Sequence, residues 1–122
     1  MKLRFISPTL HGIIDYSAAV ALIAGPFLFN LGQSHPLAKW LSLTIGIAVV
    51  LVSLNTQYRY GLFNTIPFDG HLAIDLTAAT TFLVTPLIWG FEGVDFYYYL
   101  ANAAIVYLVV AFSASNSGLA TH

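Results

Sequence analysis

The chain has no cysteine, which excludes thiol redox chemistry and Cys-ligated metal clusters. Charge is scarce as well: Lys, Arg, Asp and Glu make up 7% of the 122 residues, against 58% that are apolar. That is too little polar surface to keep a protein of this size dissolved in water. A net charge of −1 creates no field for an anionic substrate, and no nucleic-acid partner is expected. The sequence also lacks a nucleophile–base pair, a Gly-rich phosphate loop and an HExxH motif, so nothing in it asks for an enzyme. Its length suits a single domain, residues 1–122.

What the chain has in excess is apolar sequence. Four runs, at 10–31, 37–54, 72–91 and 96–114, each approach the roughly 20 residues that a helix needs to cross a bilayer. The fold class expected is all-α, a polytopic membrane protein with four transmembrane helices, and its first partner is the lipid bilayer. Met1-Lys2-Leu3-Arg4 starts like a secretory signal, but the apolar run behind it is too long and no A-x-A-like site follows, so the first span reads as retained. Ser7, Pro8 and Thr9 suit the opening of the first helix, which runs to about residue 30. The second helix is expected over 37–55 and the third over 70–90, with Asp69 as its N-cap. Glu92-Gly93-Val94-Asp95 reads as an outer turn before the fourth helix, which ends near residue 115 in a small, polar tail.

The runs contain a repeat. His11-Gly12-Ile13-Ile14-Asp15 leads through Ala18-Ala19 to Pro26, and sixty residues later His71-Leu72-Ala73-Ile74-Asp75 leads through Ala78-Ala79 to Pro86, with no gap. Repeat 1 spans about 7–56 and repeat 2 about 67–116. Ser42 then matches Asn102, offering a hydrogen bond between them, and Ser53 matches Ser113. Two crossings restore direction, so these are parallel two-helix repeats related by a pseudo-twofold along the membrane normal.

Lys2, Arg4 and Arg59 lie on the side of the termini and middle loop, and Lys39 lies on the other with Glu92 and Asp95. The positive-inside rule therefore puts both termini in the cytoplasm, with a bacterial inner membrane as the expected location. Trp40, Trp89 and Tyr97-Tyr98-Tyr99 read as the outer aromatic belt, and Tyr58 and Tyr60 as the inner one.

Thr85-Pro86-Leu87-Ile88-Trp89-Gly90-Phe91 resembles the motif of SPW-repeat membrane proteins, in which a small hydroxyl residue, Pro and Trp stand near the end of the first of two helices. Gly25-Pro26-Phe27 is the matching element of the first half. Gly25 departs from the motif, as do Phe27 and Leu87 where Trp is expected. The resemblance implies a small integral membrane protein built from helix pairs, and supplies no reaction and no active-site residues.

Histidine and aspartate four residues apart share a helix face, with Ala18, Leu22 and Pro26 continuing one stripe and Ala78, Phe82 and Pro86 its copy. A carboxylate facing lipid would cost about 2.5–3.5 kcal/mol at mid-helix, so both stripes should face the bundle interior. One His/Asp cluster in the inner half is expected, and four roles stay open for it. His11, Asp15, His71 and Asp75 can chelate a divalent ion such as Zn, Mn or Fe. His11 and His71 can be axial ligands of haem b, with Gly12 leaving room for the ring. Asp15 and Asp75 can carry protons in a small proton- or ion-coupled transporter, which would need a homodimer. The cluster can also simply pin helix packing in a structural or accessory subunit. His35, beside Pro36, and the terminal His122 read as solvated. The charge asymmetry is directly testable. A C-terminal reporter should be active in its cytoplasmic form, and activity only in the periplasmic form would reverse the assignment.

Overall fold

The computed structural model describes residues 7–56 and 66–120, with the side chains of the last helix as far as Ser113. Four helices account for nearly all of them: α1 Pro8–Leu28, α2 Leu37–Leu54, α3 Phe68–Trp89 and α4 Gly93–Ala120. All four contain a stretch long and apolar enough to cross a membrane. No strand occurs among the described residues, apart from an isolated bridge joining Thr56 to Ile66. Lys2, Arg4, Tyr58, Arg59, Tyr60 and His122 lie outside the described residues.

Local chemistry explains the helix ends. Ser7 caps α1, its Oγ accepting from the Leu10 amide at 3.1 Å, and Pro8 fits the first turn, where its missing N–H costs nothing. Asp69 does not cap α3. Pro67 holds the cap position without a side-chain bond, and Asp69 sits inside the first turn, where a carboxylate suits the positive helix end. α1 and α3 each stop within a turn of their internal proline, Pro26 or Pro86. α4 begins earlier than expected, at Gly93, and its helical backbone passes residue 115 to Ala120.

The two halves match in detail at the sixty-residue offset. His11 N donates to Ser7 O at 2.8 Å, and His71 N to Pro67 O at 3.0 Å. Leu31 N donates to Pro26 O at 2.9 Å, and Phe91 N to Pro86 O at 3.0 Å. Just beyond the helices, Asn30 (φ 52°) and Gly90 (φ 67°) both turn through the left-handed region, which Gly enters freely and Asn tolerates. Each of Ala19, Leu22, Pro26 and Ser53 is buried, as is its partner sixty residues on.

Contacts are concentrated within helix pairs, α1 on α2 and α3 on α4, while α2 and α3 scarcely touch. Gly46 permits the close α1–α2 approach: a Cβ there would lie 2.8 Å from Ile23 Cγ1, 3.0 Å from Leu22 Cβ and 3.2 Å from Ala19 O. A core of Leu22, Leu31, Ala38, Phe82, Phe91, Tyr99 and Ala103 fills the half of the bundle nearer the 29–36 turn. The outside is apolar too, with Val20, Leu28, Ile88 and Leu108 all exposed.

The aromatics expected in the outer belt divide in two. Trp40, Trp89 and Tyr97 are exposed, as a belt requires, but Tyr99 is fully buried and donates to Ala38 O at 2.7 Å. Tyr98 is half-buried. Ser42 spends its proton on Leu22 O, so the Tyr98 hydroxyl donates to Ser42 Oγ at 2.7 Å. The bond expected between Ser42 and Asn102 is therefore not made, and Asn102 donates to Tyr98 O instead. Gly25 leaves room for Tyr98, whose hydroxyl would lie 2.7 Å from a Cβ there. Gly46→Ala should lower stability by about 1–3 kcal/mol through overpacking. Gly70→Ala, whose Cβ would meet only ordinary contacts from 3.5 Å outwards, should be neutral or slightly stabilising. Thermal unfolding in detergent compares the two variants.

Candidate functional site

His11 and Asp15 lie one turn apart near the start of α1, and His71 and Asp75 repeat that placement on α3. Both stripes face inward and all four side chains are buried, with His11 and His71 at 0% exposure and each Asp at 6%. They converge as one group, with a ligand-type atom from each residue lying within 4.8 Å of the other three.

The contacts cross between repeats as well as running along each helix. His11 Nε2 lies 2.9 Å from Asp75 Oδ2 and 3.1 Å from Asp15 Oδ2. His71 Nε2 lies 3.2 Å from Asp75 Oδ2 and also contacts Asp15 Oδ2. Two nitrogens and two oxygens thus alternate around a small ring. The imidazoles stand edge to face, with centroids 5.4 Å apart and planes at 89°, and Phe68 packs at 5.2 Å against His11.

The other ring nitrogens reach the remaining two helices. His11 Nδ1 shares a hydrogen bond of 2.7 Å with Ser113 Oγ of α4. His71 Nδ1 is 2.6 Å from Oγ1 of Thr56, just past α2, and Thr56 donates its single hydroxyl proton to Val52 O at 2.6 Å. Oγ1 can therefore only accept from the ring, which puts a proton on His71 Nδ1 and turns Nε2 to the carboxylates. The repeat alone points to Ser53 for this role. Thr56, three residues on, takes it, and the buried Ser53 Oγ has no hydrogen-bond partner among the described residues. Thr56 and Ser113 are the site residues that the sequence did not single out. For Ser113 the available signal was its match to Ser53.

On the deep side of the carboxylates lies a small chamber of about 40 Å³. Asp15 and Asp75, Ala18 and Ala78, Leu22 and Phe82, Ile45 and Ile105, and Val49 and Val109 all line it, and each pair is sixty residues apart.

Two acidic or basic groups outside the cluster differ from their expected surroundings. Asp95 is no exposed turn residue. It is fully buried in the first turn of α4 and accepts from Gly32 N at 2.9 Å, Ser34 N at 3.0 Å and Ser34 Oγ at 2.6 Å, tying the α1–α2 turn to α4. His35 is half-buried, its Nδ1 accepting from Leu37 N at 3.0 Å and its ring packed on Trp89 and Phe91.

Comparison with known protein families, curated proteins and solved structures finds no match. The resemblance to SPW-repeat proteins therefore rests on the sequence motif alone. The geometry predicts that the two aspartates act as a unit, since each Oδ2 serves both imidazoles. Asp15→Asn and Asp75→Asn should each destabilise, and the double variant should depart from their sum by about 0.5–3 kcal/mol. Unfolding in detergent measures the cycle, and strict additivity would separate the pairs.

Proposed function

We propose that this chain is an integral membrane protein whose two parallel repeats build one buried site for a divalent metal ion, with His11, Asp15, His71 and Asp75 as its ligands. The observation that carries this reading is the ring of two Nε2 and two Oδ2 atoms at contacts of 2.9–3.2 Å and below. Lone pairs so close together need positive charge between them, and burial keeps bulk water from supplying it. With neutral imidazoles and ionised carboxylates the four ligands carry a charge of −2, which one divalent ion cancels.

The spacing suits such an ion. Tetrahedral bonds of about 2.0–2.1 Å to zinc imply ligand–ligand distances of roughly 3.3 Å. Three of the four nitrogen–oxygen separations, at 2.9, 3.1 and 3.2 Å, need only a small expansion to reach that, and the His71–Asp15 contact, the shortest, needs a larger one. Two imidazoles and two carboxylates form a donor set suited to Zn, Mn or Fe. The bond from His71 to Thr56 is the outer support such ligands commonly have, fixing the ring and presenting Nε2. Haem fits this geometry less well, because the carboxylates occupy the space between the imidazoles that a porphyrin plane would need. All four ligands come from one chain, so a metal site needs no second copy.

The matched hydrogen bonds, burial and chamber lining at the sixty-residue offset support a pseudo-twofold along the membrane normal. Apolar exteriors on four spanning-length helices support insertion, and the Lys/Arg asymmetry supports cytoplasmic termini in a bacterial inner membrane. One observation favours a structural reading beside the metal one: the cluster and its two hydroxyl partners join all four helices, and two protons can stand in for the ion.

Equilibrium dialysis of the detergent-purified protein against Zn²⁺ should give about one tightly held ion per chain. His71→Gln should abolish retention, and Thr56→Val, which removes only the support, should weaken binding about 10–100-fold. Zinc retention unchanged in His71→Gln would contradict the site.

A further inference from the structure

A groove of about 290 Å³ opens between α2 and α3, where the two helices scarcely touch. Ala48, Val52 and Ile74 are among its apolar walls, and Thr77, Thr81 and Asp75 are its polar residues. It shares Ile45, Val49, Asp75 and Ala78 with the chamber beside the cluster, so it leads from the outside of the bundle towards the four buried residues.

Its polar atoms are all acceptors. Thr77 spends its hydroxyl proton on Ala73 O at 3.0 Å, and Thr81 spends its own on Thr77 O at 2.9 Å. Asp75 turns Oδ2 to the imidazoles, and among the described residues nothing donates to its Oδ1. An apolar groove that offers acceptors and no donor selects an apolar molecule carrying a donor. A cation would have to leave water to enter hydrocarbon, whereas a neutral hydroxyl enters at far lower cost.

We propose that the α2–α3 groove binds a neutral, membrane-dissolved phenol whose hydroxyl donates to the Asp75 carboxylate. The inference rests on the membrane-spanning reading but not on the metal, since groove and carboxylate are present with or without an ion. It gives the buried site a lateral entrance from the lipid phase for small amphiphiles.

The test uses the full chain in native membranes washed with alkaline carbonate, and a 4-alkylphenol bearing a diazirine on its alkyl chain. Photolabelling should map to residues lining the groove on α2 and α3. 4-Pentylphenol should compete at concentrations about tenfold or more below those needed for 4-pentylanisole, which has the same shape without the O–H donor. Ala48→Phe fills the lipid-facing mouth at an exposed position and should remove the label. Equal competition by phenol and anisole, label spread evenly over all four helices, or label unchanged in Ala48→Phe would each overturn the proposal. Retention in the carbonate-washed membrane tests the spanning reading separately. Zinc stoichiometry on the same preparation separates the two sites: labelling without zinc leaves the groove standing, and zinc without labelling removes the groove alone.

Discussion

Nε2 of His11 and His71 and Oδ2 of Asp15 and Asp75 meet among four helices, and each atom depends on the other three. In a bilayer an unpartnered carboxylate costs up to about 2.5–3.5 kcal/mol, and among the described residues the histidine one turn away on the same helix does not offset that alone. The second repeat supplies the rest. His11 reaches Asp75 and His71 reaches Asp15, so neither half of the chain satisfies its polar groups without the other. The remaining ring nitrogens extend the dependence to Ser113 of α4 and Thr56 after α2.

This explains a bundle whose contacts are otherwise concentrated within pairs. α1 rests on α2 through Gly46, and the core around Phe82, Phe91 and Tyr99 fills the half away from the cluster. At the cluster end, the His/Asp ring and its hydroxyl partners cross between the pairs. Asp95 is its counterpart at the other end, where three hydrogen bonds hold the α1–α2 turn against the start of α4. Polar contacts thus fasten both ends of a body that is apolar inside and out. Between them, α2 and α3 diverge far enough to leave the groove that reaches Asp75.

Much of this was legible in the sequence, because it follows from periodicity. Four long apolar runs give four helices, and an i, i+4 His/Asp pair repeated at sixty residues brings four side chains to one place once both helices face inward. The helix ends were less legible. Pro67, not Asp69, occupies the α3 cap position, and α4 takes up Gly93 and Asp95, because a carboxylate with donors waiting in a neighbouring turn buries readily. Tyr99 reads as a belt residue in a run of three tyrosines, yet helical rotation turns it into the core while Tyr97 faces out. Thr56 could not be found from the repeat, because the symmetric position is Ser53 and the end of α2 brings the later hydroxyl to His71.

We propose that the two copies of one short motif form a single coordination sphere. X-ray absorption spectroscopy of the zinc-loaded protein measures that sphere directly. On this proposal four nitrogen or oxygen ligands at about 2.0–2.1 Å, with outer-shell scattering from two imidazoles, are expected. A spectrum with a single imidazole, or with oxygen ligands alone, would contradict it.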